Sequence, residues 1–259
     1  MPIEPVALFV FAHQDDEFGV FERIVALRRQ GIRVACAYLS DGQTATGSSA
    51  AVRNAESLSV LARLGVAASD VTFAGEQLGI GDASLPLHLD AAGQWLAAWF
   101  DSFTSIDSIH VMAWEGGHHD HDALHALTVH LAAARGLLAR TWQFSLYQSR
   151  GLGGPWFRVL APITENGPVT ATPIAWRARL RYLALCLSYP SQRVTWIGLF
   201  PFVLLHYLLR GDQALQHVTL DRIAERPHAG PLYYEKRKFF TWQQLSDAVA
   251  AWRARQPRS

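Results

Sequence analysis

Val6-Ala7-Leu8-Phe9-Val10-Phe11-Ala12-His13-Gln14-Asp15-Asp16-Glu17 passes from an unbroken apolar run into four ionisable side chains within five positions. An apolar run this short, rich in Val and Phe, reads as a buried strand. The polar cluster then stands at the strand's C-terminal end, where open α/β sheets bind their ligands. Carboxylates in such a place are costly unless they are paired or hold a metal. The bland alternative is an acidic helix start, because Asp and Glu complement the positive end of a helix dipole. On this cluster alone the two readings stand even.

Outward from that strand the pattern repeats. Phe18 to Arg29 has helical apolar spacing and stops at Gly31; Val34 to Leu39 is a second strand, closed by Ser40-Asp41-Gly42. A Gly, Ser and Thr loop runs to about Ser49. Ala50 to Leu64 predicts a helix with Leu58, Leu61 and Leu64 inside, and Val71 to Ala74 a short strand. Leu89 to Phe103 predicts a helix, Ile109 to Trp114 a strand, Asp122 to Ala134 a helix and Phe144 to Gln148 a fifth strand. Strands and helices alternating at this spacing predict an α/β, Rossmann-like three-layer sandwich with a mostly parallel sheet. Right-handed crossovers then bring the ends of the first, second and fourth strands to one rim. The Gly-x-Gly-x-x-Gly fingerprint is missing, so no nucleotide cofactor is indicated.

Beyond residue 150 the pattern loosens into an irregular, apolar region. Phe157 to Ile163 predicts a strand, Ala175 to Leu187 a helix, Tyr189 to Gln192 a break, and His217 to Ile223 an edge strand. Leu199 to Leu209 reads as helical after Pro201, and Trp242 to Arg253 as an amphipathic C-terminal helix. With neither a repeat nor a linker, 1–259 reads as one domain: a core over 1–150 and an extension over 151–259 that completes the fold and borders the pocket.

Composition narrows the function. Half of the 259 residues are hydrophobic, 17% are charged and the net charge is +1, so a large core is expected and a nucleic-acid footprint is not. Cys36 and Cys186 lie in apolar surroundings and read as buried free thiols, consistent with a reducing, cytoplasmic compartment. The N-terminus has no signal-peptide pattern. Trp196 to Leu209, the longest apolar stretch, is too short to span a bilayer comfortably. It reads as a buried helix or a hydrophobic cap on the sheet, against the alternative of an apolar lid over a lipid-linked or acylated substrate or at a membrane surface.

A second cluster decides between the readings of the first. Gly116-Gly117-His118-His119-Asp120-His121 follows the fourth apolar strand, and five of the chain's eleven histidines lie between His118 and His130. Two such clusters at strand ends suggest a metal site. His and Asp donors without thiolate suit Zn²⁺ in a catalytic role, and Fe²⁺ can occupy the same donors. A metal with three protein ligands leaves room for an activated water.

Ala12-His13-Gln14-Asp15-Asp16-Glu17 resembles the Ala-His-Pro-Asp-Asp-Glu signature of the PIG-L/LmbE family of zinc-dependent de-N-acetylases. His118-His119-Asp120-His121 resembles that family's His-x-Asp-His motif. Asp41-Gly42, Arg53-x-x-Glu56 and Leu64-Gly65 are similar to its middle section, and the resemblance spans roughly residues 5 to 148. It implies that His13, Asp16 and His121 ligate zinc and that Asp15 is the general base. It further implies that His118 stabilises the oxyanion or protonates the leaving amine, and that Asp120 orients a histidine. Arg53, and more weakly Asp82, would contact an amino-sugar conjugate; Glu17 would brace the loop. Gln14 stands where the family has proline, a change expected to alter loop stiffness. Gly116 stands where some relatives carry an oxyanion-assisting tyrosine.

The variable position His119 is expected at the surface, and His125 on a helix face or behind the metal ligands. The implied reaction is removal of an N-acetyl group from a GlcNAc-type conjugate. The alternatives are a longer or non-sugar N-acyl substrate, and a non-catalytic glycan-binding module.

Overall fold

β1 (Val6–Phe11) forms where the apolar run predicts it, with every side chain buried. The structure, a computed structural model, describes residues 4–43 and 47–256; part of the predicted Gly/Ser/Thr loop, 44–46, lies outside the described residues. A 3-10 turn at Asp16–Gly19 leads into α1 (Phe21–Arg29). Then come β2 (Arg33–Tyr38), α2 (Ala50–Arg63), β3 (Val71–Phe73), α3 (Ala74–Leu78), α4 (Leu89–Asp101), β4 (Ile106–Met112), α5 (His119–Ala133) and β5 (Thr141–Phe144). The second half adds β6 (Tyr147–Gln148), β7 (Arg158–Val159), β8 (Val169–Pro173), α6 (Trp176–Cys186), α7 (Arg193–Leu209), β9 (Asp212–His217), α8 (Tyr233–Lys236) and α9 (Trp242–Ala254).

Among the described residues the main sheet has seven strands in the order β3-β2-β1-β4-β5-β9-β8. The first five are parallel; β9 runs antiparallel to β5, and β8 antiparallel to β9. The chain winds outward from β1 to β3 and then crosses back to β4. The adjacent ends of β1 and β4 are therefore the topological switch point, where a crevice opens. α5 packs against both strands and is covered by α4 and α9. α1 meets α6 through Phe21 on Tyr182 and through Tyr182 Oη donating to Glu22 at 2.6 Å.

Expectations at four places need correction. The predicted strand over Phe144 to Gln148 is broken, because the Glu115 carboxylate takes the amides of Leu146 and Tyr147 at 2.7 and 3.0 Å. Its second part turns away to pair with β7, to which the predicted strand Phe157 to Ile163 is reduced. The predicted edge strand after His217 is instead β9, which ends at His217; the edge is β8, whose side chains are all exposed and carry no alternation. The third concerns α7, which starts at Arg193 and continues through Pro201. Pro201 and Ile197 are both exposed, so the carbonyl that proline leaves without a donor faces water. Nor is α7 a buried core helix: Val194, Ile197 and Leu209 are each at least 75% exposed. Finally, α5 starts at His119, earlier than predicted, and buries His119 to 1% exposure, stacked on Phe240 with Nε2 at 3.0 Å from the Ala83 carbonyl. It is not at the surface.

Cys36 and Cys186 are free and buried. Among the described residues no helix is long and apolar enough to cross a membrane.

Candidate active site

The loop after β1 folds back on Asp16. Asp16 Oδ2 accepts the amides of Ala12 and His13 at 3.1 and 2.7 Å, which reverses the chain and leaves Oδ1 facing His121 Nε2 at 3.1 Å. Asp15 takes a left-handed conformation with φ 114°, an uncommon and strained state for a side-chain-bearing residue. Its amide is held by Glu17 Oε2 at 3.0 Å. Glu17 is fully buried beneath the loop, so it braces the loop as expected.

The other wall comes from β4 and the start of α5. Asp122 Oδ1 accepts the amides of Glu115 and Gly116 at 3.2 and 3.3 Å and fixes the turn. A Cβ at Gly117 would lie 2.1 Å from the Tyr147 carbonyl, so only glycine lets the turn approach β6. His118 caps α5: its Nδ1 accepts the Asp120 amide at 3.1 Å. That bond makes His118 a neutral imidazole with Nε2 as its donor. Burial, and then the charge of His13, push its pKa down to about 3.

His13 joins the two walls. Its Nδ1 lies 3.2 Å from His121 Nε2 and 3.6 Å from Asp16 Oδ2, and its Nε2 contacts Asp120 Oδ2 at 3.0 Å and Asp82 Oδ1 at 3.1 Å. Asp120 also accepts the amides of Ala83 at 2.7 Å and Leu85 at 3.0 Å. Its oxygens are therefore engaged by two backbone amides as well as by His13, and His13, Asp82, His118 and Asp120 bring ligand atoms within 4.8 Å of one another. Asp82, expected near a sugar hydroxyl, sits on His13 with one oxygen and 4.0 Å from Arg53 Nη1 with the other.

The donors fit a cation. A tetrahedral zinc with bonds of roughly 2.0–2.1 Å separates its ligand atoms by about 3.3 Å. His121 Nε2 lies 3.2 Å from His13 Nδ1 and 3.1 Å from Asp16 Oδ1, separations of that order, while His13 Nδ1 lies 3.6 Å from the other Asp16 oxygen, Oδ2. His118 also offers a nitrogen within 4.8 Å of nitrogens of His13 and His121, and its Nδ1 is the one that the Asp120 amide occupies. The surrounding charge is in deficit of a cation. Burial alone would lower the pKa of His13, yet Asp82, Asp120 and Asp16 carry it well above its ordinary value. Asp16 stays at about 2 because His121 and His13 outweigh burial. Asp15 is pushed up to about 8 by burial, which Arg53 offsets only in part while the Asp16 and Glu17 carboxylates push the same way as burial.

Arg53 is 3% exposed, on α2. Its Nη1 donates to the Gly42 carbonyl at 2.5 Å and its Nη2 to the Gln14 carbonyl at 2.8 Å, with Asp15 Oδ1 3.7 Å from Nη2. It binds two loops together while one edge lines the cavity. Gln14, where proline was expected, is 1% exposed and donates from Nε2 to Asn54 Oδ1 at 2.7 Å. His125 is buried, with Nδ1 at 2.8 Å from the Met112 carbonyl, away from the triad.

These groups form the floor of a cavity of about 640 Å³. Its upper walls are residues that the motifs did not reveal: Tyr147, Phe157 and Tyr233, and Leu199 and Phe202 of α7. Tyr147 packs edge-on against His121 at 5.6 Å between ring centres. The signal for these walls was the apolar stretch before Leu209, which does reach the site.

Residues 8–132 match the family model described as PIG-L, GlcNAc-PI de-N-acetylase. No curated protein matches the sequence. Among solved structures, a deacetylase of teicoplanin biosynthesis is similar at 14% identity and a TM-score of 0.64, over 83% of this chain and 98% of that one. The N,N'-diacetylchitobiose deacetylase of Pyrococcus horikoshii is similar at 15% identity and 0.54, over 82% of each chain. A 4-carboxy-2-hydroxymuconate hydratase from Pseudomonas putida is similar at 16% identity and 0.53, over 83% of this chain and 96% of that one. At these identities the likeness is one of fold, and the hydratase makes the point that the fold does not fix the reaction.

Proposed function

We propose, from the match of residues 8–132 to the PIG-L family model, that the chain is a metal-dependent hydrolase removing the N-acetyl group of an amino-sugar conjugate. The observation that carries the reading is that His13 Nδ1 and Asp16 Oδ1 both approach His121 Nε2, at 3.2 and 3.1 Å, in a cavity that Asp15 also lines. His13, Asp16 and His121 would hold Zn²⁺, or Fe²⁺ in its place. When bound, the ion supplies Lewis acidity to the amide carbonyl and acidifies a water.

The chain's own groups do the rest. Asp15 accepts the water's proton; a base held near neutral pH is suited to that transfer. Its strained backbone and the Glu17 contact aim it into the cavity, while Arg53 limits how far its pKa rises. His118 donates from Nε2 to the oxygen on which charge develops, and being neutral it costs no further desolvation. Gly116 leaves that duty to His118. Asp120 fixes the His13 tautomer by accepting a hydrogen bond from its Nε2–H. Arg53 and Asp82, at the floor beside Asp15, contact the sugar. The whole chain acts as one domain in this reading, because walls from both halves enclose the cavity.

A second reading has its own support. The upper walls are aromatic and aliphatic, which suits a longer N-acyl chain or an apolar aglycone. The test is amine release by the zinc-loaded protein from N-acetylglucosamine conjugates, with N-octanoyl counterparts alongside. N-acetyl turnover that vanishes in Asp15→Asn while zinc is retained supports the first reading. Turnover confined to octanoyl substrates favours the second. A fully active metal-free preparation overturns both.

A further inference from the structure

α6 and α7 form an antiparallel pair: the Ile174 amide donates to the Gly211 carbonyl at 2.8 Å, and Arg179 donates to Ile174 and Tyr207 carbonyls at 2.7 and 3.0 Å. One face of the pair packs on the core through Tyr182, Leu185, Val203 and Tyr207. The opposite face is also apolar. On α7, Val194, Ile197, Pro201, Leu205 and Leu208 recur at steps of three and four and are all exposed. On α6, Trp176 and Leu180 do the same, at 58% and 64% exposure. A helix apolar all round is expected to be covered on all sides, by protein or by lipid. Among the described residues nothing covers this face.

Its charge is one-sided. No Asp or Glu occurs between Glu165 and Asp212, while Arg177, Arg179, Arg181, Arg193 and Arg210 do. Arg210 pairs with Asp212 at 3.6 Å, and Arg179 stacks over Trp176 at 4.4 Å. Arg181 donates to the Arg63 carbonyl. Arg177 and Arg193 have no ion pair or side-chain hydrogen bond among the described residues. Arginines around an exposed apolar stripe, with a Trp at one end, match an anionic lipid surface, where long cationic side chains reach headgroups while the apolar face enters the acyl boundary. A second copy of the chain would set these arginines against one another.

We infer that the outer face of α6 and α7 docks on an anionic lipid bilayer. Val194 belongs both to the exposed stripe and to the cavity wall. Docking therefore sets the mouth of the cavity at the lipid–water boundary. The inference rests on this face alone and does not depend on the reaction.

The test is co-sedimentation of the full chain with vesicles of phosphatidylcholine, with and without phosphatidylglycerol. Binding is expected only to the phosphatidylglycerol vesicles and should weaken with salt. Ile197→Glu, Leu205→Glu and Leu208→Glu, combined, should lower the bound fraction about tenfold or more. These residues are exposed and lie outside the cavity, so melting temperature and turnover of a soluble substrate should stay unchanged. Arg177→Glu with Arg193→Glu should reduce binding without touching the apolar stripe. No vesicle binding, equal binding to neutral vesicles, or undiminished binding of the triple variant each overturns the inference. So does a dimer in solution that the triple variant abolishes.

Discussion

His13 Nδ1 and His121 Nε2 face each other at 3.2 Å, one from the end of β1 and the other from the first turn of α5. Two ring nitrogens at that distance need a proton or a cation between them. Without a cation, the carboxylates around His13 draw a proton onto it and hold its pKa well above the ordinary value. Metal ligation requires the neutral ring. Adding zinc to the metal-free protein at neutral pH should therefore release protons, measurable in weakly buffered solution. About one zinc per chain should bind, as three-ligand sites do. His121→Ala should abolish both the stoichiometric binding and the proton release. Asp15→Asn should keep the zinc and lower turnover by roughly 10²–10⁴-fold, the range of a lost general base. An Asp15→Asn protein that loses its zinc would show Asp15 to be a ligand instead.

Gln14 gives a stability prediction. Its amide donates to Asn54 at 2.7 Å, and Asn54 donates to Glu76 at 2.7 Å, linking the β1 loop to α2 and α3. Gln14→Ala leaves the buried Asn54 oxygen without this partner. Unfolding free energy in urea should fall by about 1–3 kcal/mol. Zinc stoichiometry should hold, because Gln14 touches none of the ligands through its side chain. The double variant with Asn54→Ala should cost less than the sum of the single changes. Strict additivity would mean that the bond contributes nothing.

The site's floor was legible because it is local. His13, Asp15 and Asp16 lie in one turn, and His118, Asp120 and His121 in another, so spacing alone brings each set together; β1 and β4 then set the two turns side by side. β1 was readable to the residue because a strand buried on both faces is continuously apolar. The parts that were misread depend on distant partners. β5 stops because Glu115, from the turn after β4, captures the amides of Leu146 and Tyr147. β8 is exposed throughout, so nothing in its sequence alternates. α7 looked like core because a hydropathy pattern does not distinguish burial in protein from a covered wall on one side and an open face on the other. His119 looked variable, yet the first turn of α5 buries it against Phe240.

Glu115 gives a pH prediction away from the ligands. It is buried, with Oε1 bound by two amides, and burial raises its pKa from 4.5 to about 7. The unfolded chain ionises this group from about pH 4.5 upward, while the folded chain keeps it protonated. The unfolded state thus binds fewer protons between those values, and stability falls as pH rises from 4.5 to 7, then levels off. Glu115→Gln keeps the acceptor for both amides and removes the titration. Relative to wild type, the variant should gain stability from pH 4.5 to pH 8, by about 3 kcal/mol at most. Urea melts at the two pH values measure it; parallel changes in both proteins would rule out a neutral Glu115 in the fold.

Gly198 tests whether the apolar wall selects the substrate. It lies on α7, lines the cavity, and a Cβ there would meet no atom within 4 Å. Gly198→Leu should therefore fold without strain and gain about 0.5–1 kcal/mol from helix propensity. The added side chain projects into space that a large conjugate would need. For a bulky N-acetylated glycoside, KM should rise about tenfold, equivalent to roughly 1.4 kcal/mol of lost binding. For N-acetylglucosamine alone, which reaches only the floor at Asp15 and His118, both kcat and KM should be unchanged. A uniform loss of kcat on both substrates would instead mean that α7 supports the catalytic floor, and an unchanged KM for the bulky glycoside would mean that the conjugate leaves the cavity by another side.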